Sequence, residues 1–418
     1  MKLLLLVLTG LAALWHSAAQ ADAPLGSHLA GLLEYAREHN PELAASRYQA
    51  AAAAQRAEPA GALPDPVLRT ELLDITKQGS TAPRLLPTQV GATRYLLMQS
   101  VPWFGKRDLQ RAVAGAGAAQ ANGQVAADWS DLASRIKTAY IQHYYADHAV
   151  RLSQQMLVLL DELEQLSQTR YANGLDSQQD ALRAQIEKTL LRSELIAQLN
   201  ASHHSHARLN SLLARPASAP LAEPVQLPAL PPAAQLDETA LLERLRARNP
   251  QLQIATAAID AADQSRKLTY LSRYPGFTLG VAPTQTASTV KSWDLMVELN
   301  IPLQQSSRRA QEQEAEALLA AAHARREALL NQTEAALSES LSELASARQT
   351  ETLISTQLLP QAELSYQSAL AGYQTGKVSF STLIETQKQI LKVRQQSLQA
   401  QTDAQMRLAE IEKLLGEE

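Results

Sequence analysis

Laying the second half of the chain over the first brings four landmarks into line, in the same order. Leu32-Leu33-Glu34 with Asn40-Pro41 recurs as Leu241-Leu242-Glu243 with Asn249-Pro250, and Pro66 falls on Pro275 at the same offset. Further on, Val101-Pro102 matches Ile301-Pro302, and Tyr171-Ala172-Asn173-Gly174 matches Tyr373-Gln374-Thr375-Gly376. One such match could arise by chance, but four in the same order mark an internal duplication. The organisation expected is a leader over 1–21, a first repeat over 22–215, a Pro-rich linker over 216–232 and a second repeat over 233–418.

Each repeat reads as helix, two strands, very long helix, turn, helix. The apolar periodicity predicts helices over 28–60, 105–172 and 177–213, and their equivalents over 237–272, 305–372 and 380–414. At 1.5 Å per residue these are roughly 50, 100 and 55 Å long, so two short helices stacked end to end match one long one. That arithmetic predicts a cylinder about 100 Å long, walled by helices. A composition rich in Ala, Leu, Gln and Glu with few aromatics agrees with long helices. The apolar stripes are narrow: Phe380, Leu383, Ile384, Leu391 and Leu398 stand among Gln, Ser and charged residues, which suits coiled-coil seams better than a thick globular core.

The four candidate strands, about Pro66–Ile75, Thr93–Val101, Phe277–Thr286 and Ser292–Ile301, limit the fold further. In the last, Trp293, Leu295, Val297, Leu299 and Ile301 alternate with Asp294, Met296, Glu298 and Asn300, giving one lipid-compatible face and one wet face. Strands of about 9–11 residues cross a bilayer when tilted. Four cannot close a membrane barrel, because the smallest have about 8 strands and an open edge in lipid strands its backbone groups. Three copies of the chain supply about twelve, an even number inside the usual range. The fold class expected is mainly α with a small β part: a trimeric outer-membrane β-barrel, four strands per chain, continuous with a long periplasmic α-helical barrel. A half-buried soluble sheet is the competing reading of the alternation alone.

The rest of the sequence bounds the function. Lys2, the apolar run from Leu3 extended through Leu14, and Ala19-Gln20-Ala21 form the three-part pattern of a secretory leader, cleaved after Ala21. No later segment is apolar for long enough to span a bilayer as a helix. The chain has no cysteine, which excludes disulfides, thiolate metal sites and a lipidated N-terminal Cys. A formal net charge of −4 argues against a nucleic-acid partner. With no phosphate-cradling loop, zincin motif or nucleophile elbow, the expectation is a protein that is not an enzyme and carries no cofactor. In Ser202-His203-His204-Ser205-His206, His203 and His206 share a helix face, but no third metal ligand is fixed nearby in sequence.

This layout resembles the TolC-type outer-membrane efflux proteins over essentially the whole chain after the leader. The stretch Val101-Pro102-Trp103-Phe104-Gly105-Lys106-Arg107 resembles the strand-to-helix corner of the heavy-metal branch, the CzcC- and CusC-like channels. The resemblance implies a homotrimer that works with a periplasmic adaptor (membrane fusion protein) and an inner-membrane RND-type pump. It implies passive conduction of heavy-metal cations from the periplasm through the outer membrane. It places the adaptor-docking tip at the two turns, with Gly174, Leu175, Gly376 and Lys377 as docking residues, and Asp180 and Glu385 as acids of a periplasmic gate; Thr382 stands where the family often has an acid. Drug efflux or type I secretion by the same fold, and a non-conducting periplasmic coiled-coil scaffold, are the alternatives.

Overall fold

The computed structural model describes residues 25–76 and 82–417, so the leader expected over 1–21 lies outside the described residues. In chain order the elements are α1 (Leu29–His39), α2 (Pro41–Gln55), α3 (Ala57–Ala60), β1 (Val67–Leu73), β2 (Ala92–Val101), α4 (Lys106–Ala172) and α5 (Gln178–Leu212). Then follow α6 (Glu238–Arg248), α7 (Pro250–Leu271), β3 (Gly276–Thr286), β4 (Thr289–Asn300), α8 (Gln305–Leu353), α9 (Leu359–Gln374) and α10 (Phe380–Leu415). The fold is mostly helical with one small antiparallel sheet, as expected. No described helix is long and apolar enough to cross a membrane.

The chain forms two compact units, each built from both halves of the sequence. One takes the chain up to Leu43, Trp129–Leu245 and Ala335 onward; the other takes Ala44–Asp128 and Arg246–Glu334.

Among its described residues the first unit contains helices and no strand. Leu160 and Leu163 of α4, Ala184 and Leu191 of α5, Ala369 and Tyr373 of α9, and Phe380, Leu383 and Ile384 of α10 are buried against one another. This is the narrow seam expected from the stripe beginning at Phe380, with Leu398 buried further along the same helix. One layer of apolar side chains suffices because the helices pack in pairs, so the remaining faces stay polar.

Three expected helices are interrupted. The helix expected over 28–60 stops at Asn40, where the backbone is extended (φ −74°, ψ 122°), and restarts as α2 at Pro41. Asn40 Oδ1 accepts from the backbone N–H of Glu42 and Leu43 at 2.8 and 3.2 Å, and Nδ2 donates to the Leu212 carbonyl at 2.9 Å. The second repeat does the same: Asn249 caps α7 through the Leu252 N–H, with Pro250 in the first turn. Proline has no N–H to continue a helix and pushes its predecessor out of the α region, and Asn satisfies the freed donors. The apolar pattern runs on across both breaks, which hides them from periodicity. The helix expected over 305–372 carries a π turn at Ile354–Leu358, followed by Pro360; a π turn accommodates one extra residue where neighbouring packing fixes both flanks.

The second unit holds the sheet, ordered β1-β2-β3-β4 with every neighbour antiparallel. All four strands lie where alternation placed them. The β3–β4 connection is tighter than the sequence implied, since β4 starts at Thr289 and leaves a two-residue turn in which Ala287 takes φ +54°.

Candidate functional site

The pairing register sorts the sheet into two faces. On one, Leu68, Leu97, Val281 and Leu295 are direct cross-strand partners and make a row across all four strands. All four are exposed, at 67, 54, 45 and 77 %. Leu279, Val297, Leu299 and Trp293 extend the same apolar surface and are likewise exposed. The other face carries Glu71, Arg94, Thr284, Asp294 and Glu298, with a small apolar cluster of Leu96, Met98, Ala282 and Met296. Water would penalise the first face at about 25 cal/mol per Å² of apolar surface, so it belongs against lipid or protein. Among the described residues, β1 and β4 each have one neighbour, so both sheet edges are open to further strands.

Where β2 leads into α4, Gly105 takes φ +77° and lets the chain turn sharply into the helix beginning at Lys106. Trp103 stacks on Tyr274 at 4.8 Å and on Phe277 at 5.6 Å, with Phe104 edge-on at 5.8 Å and 79 % exposed. Aromatics from both repeats thus gather at the sheet margin, the arrangement that suits a membrane–water interface.

In the helical unit the two turns are superimposable in their bonding. Gly174 and Gly376 both have φ +72°. Leu175 N–H donates to the Arg170 carbonyl at 2.9 Å and Lys377 N–H to the Gly372 carbonyl at 2.8 Å, the helix-ending pattern in which a left-handed glycine lets the next amide reach back. Leu175, Gly376 and Lys377 are exposed. A Cβ on Gly174 would meet nothing within 4 Å, so the cost of Gly174→Ala is backbone strain alone, about 1 kcal/mol. Chemical denaturation of the variant checks this value; a neutral result would mean the turn adopts another conformation.

Beyond each turn a serine caps the next helix, and here the repeats diverge. Ser177 Oγ accepts from Asp180 N–H at 3.3 Å while Asp180 Oδ2 accepts from the Ser177 backbone N–H at 3.4 Å, closing a reciprocal box, and also from the Ser177 hydroxyl at 2.8 Å. In the second repeat Ser379 Oγ accepts from Thr382 N–H at 3.3 Å, and Thr382 has no carboxylate to return. Asp180 is therefore engaged in its own helix start. Glu385, exposed on α10, lies at a 690 Å³ cavity walled by Met156, Leu160, Leu191 and Val393 and rimmed by Glu187 and Lys388.

Close beside the turns is a clasp that sequence reasoning missed. Asp176, two residues after Gly174, accepts from Arg170 Nε at 3.1 Å and from the Tyr373 hydroxyl on α9. Arg170 also donates to the Gln374 carbonyl at 3.3 Å and sits over the Tyr373 ring at 4.8 Å. The α4–α5 hairpin is thereby tied to the α9–α10 hairpin through one nearly buried carboxylate. Burial, and then the neighbouring Asp176 carboxylate, push the Tyr373 phenol well above its ordinary range. The one clue in sequence is that both turns carry a tyrosine, Tyr171 and Tyr373; only the second is buried.

The histidine cluster divides. His206 meets His143 of α4 ring to ring at 5.9 Å, and His143 Nδ1 lies 2.9 Å from Ser205 Oγ. Asp147, His203 and Glu223 line the same 340 Å³ cavity. Among the described residues, no group of three or more His, Asp or Glu side chains is placed to hold a metal ion. Burial lowers the His143 pKa most, with Asp147 and Glu223 opposing and His206 adding to the fall. A lowered histidine stabilises the fold fully above its unfolded value of about 6.5, and that contribution is lost as pH falls below it. Thermal stability is expected to drop between pH 7 and 5, and His143→Gln to flatten the profile; an unchanged slope would count against a buried neutral His143.

Residues 241–417 match the family model described as Outer membrane efflux protein, so that stretch carries the sequence pattern of that family. No curated protein matches the chain in sequence. In fold, the chain is similar to the outer-membrane channel OprN (TM-score 0.81, 18% identity, 93% of this chain and 90% of that one). It is similar also to the outer membrane protein VceC from Vibrio cholerae (0.77, 18%, 93% and 96%) and to CusC, a transmembrane channel (0.71, 16%, 97% and 96%). The fold of this chain is that of the outer-membrane channel proteins, over nearly its whole length.

Proposed function

We propose that this chain is the outer-membrane channel subunit of a tripartite efflux system. The observation that carries the reading is the row Leu68, Leu97, Val281 and Leu295, apolar and exposed across every strand of a sheet with both edges open. Three copies close those edges into a barrel of about twelve strands, removing unpaired backbone groups from lipid. The two repeats, 22–215 and 233–418 about the 216–232 linker, each supply two strands and a helical hairpin. The helices form the periplasmic conduit, and the barrel sits in the outer membrane.

Substrate passes without chemistry, driven by an inner-membrane RND-type pump through a periplasmic adaptor. Gly174, Leu175, Gly376 and Lys377, exposed at or within the turns, are the docking residues, and Asp180 and Glu385 line the gate, held shut by the Asp176 clasp. The cargo read from the Gly105-Lys106-Arg107 corner is heavy-metal cations. A channel of the same fold with organic cargo, drugs or secreted proteins, is the second reading.

The test is growth of the native host with the gene deleted, across copper, silver, zinc, cobalt, cadmium and nickel salts beside drugs and detergents. Sensitivity confined to metals supports metal efflux. Drug sensitivity with normal metal tolerance replaces it by the second reading. Purified protein that is soluble without detergent and gives no bilayer conductance would sink the channel itself.

A further inference from the structure

One guanidinium ties together the wet face of the sheet. Arg94 on β2 reaches Glu71 on β1 at 3.8 Å and Asp294 on β4 at 3.2 Å, and Asp294 also accepts from the Thr284 hydroxyl on β3 at 3.3 Å. Glu71, Arg94 and Thr284 are direct partners in one row, with Asp294 one step along β4. Arg94 spans the width of β3, and the short Thr284 between them leaves the space. Arg69 adds a long contact to Glu71 at 3.9 Å. Arg69 is the direct partner of Leu96, and Asp294 of Ala282, so the charges occupy two adjacent rows at the margin of the apolar cluster that Met98 and Met296 complete.

As a structural staple this band is weak. Arg94, Glu71 and Asp294 are 39, 34 and 45 % exposed, and ion pairs so exposed contribute about 0–1 kcal/mol. As fixed charges facing a water-filled pore they matter more, because rings of charged side chains bias which ions pass. Two arginines against two carboxylates leave the band balanced. Resting on the channel reading above, we propose that Arg94 is a specificity-determining residue of the barrel: it neutralises Glu71 and Asp294 and keeps the lumen open to ions of both signs. Removing its charge from each of three copies leaves Asp294 without its arginine and Glu71 with Arg69 alone, an excess of one negative charge per copy that favours cations over anions.

The experiment is the reversal potential of purified channels in planar bilayers under a tenfold potassium chloride gradient, at low salt where a charge is felt over about 10 Å. Arg94→Gln is expected to shift the reversal potential toward the cation limit, with the potassium-to-chloride permeability ratio rising several-fold. The double variant Glu71→Gln with Asp294→Asn, which leaves Arg94 unopposed, is expected to shift it toward the anion limit. At 1 M salt, where the screening length falls to about 3 Å, both shifts shrink. Heat-modifiable migration on gels reports whether each barrel assembles; if Arg94→Gln does not, the double variant carries the test. Conducting variants with the wild-type reversal potential, or shifts of the opposite sign, would overturn the assignment of Arg94. Wild-type protein that conducts nothing would instead overturn the channel reading.

Discussion

Val281→Arg is expected to abolish assembly of the barrel in membranes. Val281 is a central member of the exposed apolar row, with Leu97 and Leu295 as its direct partners on either side. An arginine on the lipid face near the bilayer midplane costs about 2–4 kcal/mol. Three copies place three such charges in one barrel, so the total approaches the 5–15 kcal/mol of a whole domain's stability. Thr278→Arg makes the matching change on the opposite face, where its direct partner is Glu298 and the medium is water; it is expected to assemble normally. Urea unfolding from lipid vesicles and heat-modifiable migration on gels measure both. Equal behaviour of the two variants would mean that the apolar face does not meet lipid.

That contrast was legible in the sequence because alternation is a local signal: a strand with one wet face writes its pattern into neighbouring residues. The strand at Ser292–Ile301 could be read to within a few residues for this reason, and Trp293 and Leu295 stand on the face assigned to them. Long helices were equally plain, since α4 carries its periodicity from Lys106 to Ala172. The breaks at Asn40 and Asn249 are hidden because the apolar spacing continues through both Asn-Pro pairs. The π turn at Ile354–Leu358 left no mark, because it depends on how Ile354 packs against Ala362, Ile390 and Val393 rather than on local preference.

The helical turns show where sequence reading ends. The glycines at 174 and 376 were predictable, since a left-handed residue is required to reverse a hairpin. The clasp was not, because Asp176 and Tyr373 are 197 residues apart and meet only when two hairpins pack. Asp180 closes the capping box of its own helix, whereas Asp176, four residues earlier, faces the neighbouring hairpin. The pairing of His206 with His143 is hidden for the same reason.

Tyr373→Phe is the sharpest test of that clasp. The substitution keeps the ring, its contact with Phe380 at 5.4 Å and its face toward Arg170, and deletes only the hydroxyl that donates to Asp176. A hydrogen bond to a charged group is worth about 1.5–3 kcal/mol, so the equilibrium between joined and parted hairpins is expected to shift by about tenfold to hundredfold. In bilayers the variant is expected to spend far more time in high-conductance states than the wild type. Tyr171→Phe, the equivalent change in the first repeat, removes a hydroxyl from an exposed ring and is expected to alter stability by less than about 0.5 kcal/mol, with no change in conductance. The pH dependence follows from the raised phenol: the folded protein holds that proton more tightly than the unfolded chain, so its contribution is complete below about pH 10 and is lost as pH rises further. Tyr373→Phe should therefore remove a loss of stability above pH 10 while leaving the profile at pH 7–9 flat. If conductance and the alkaline profile both match the wild type, the carboxylate of Asp176 is held by Arg170 alone and the two hairpins are joined by their apolar seam.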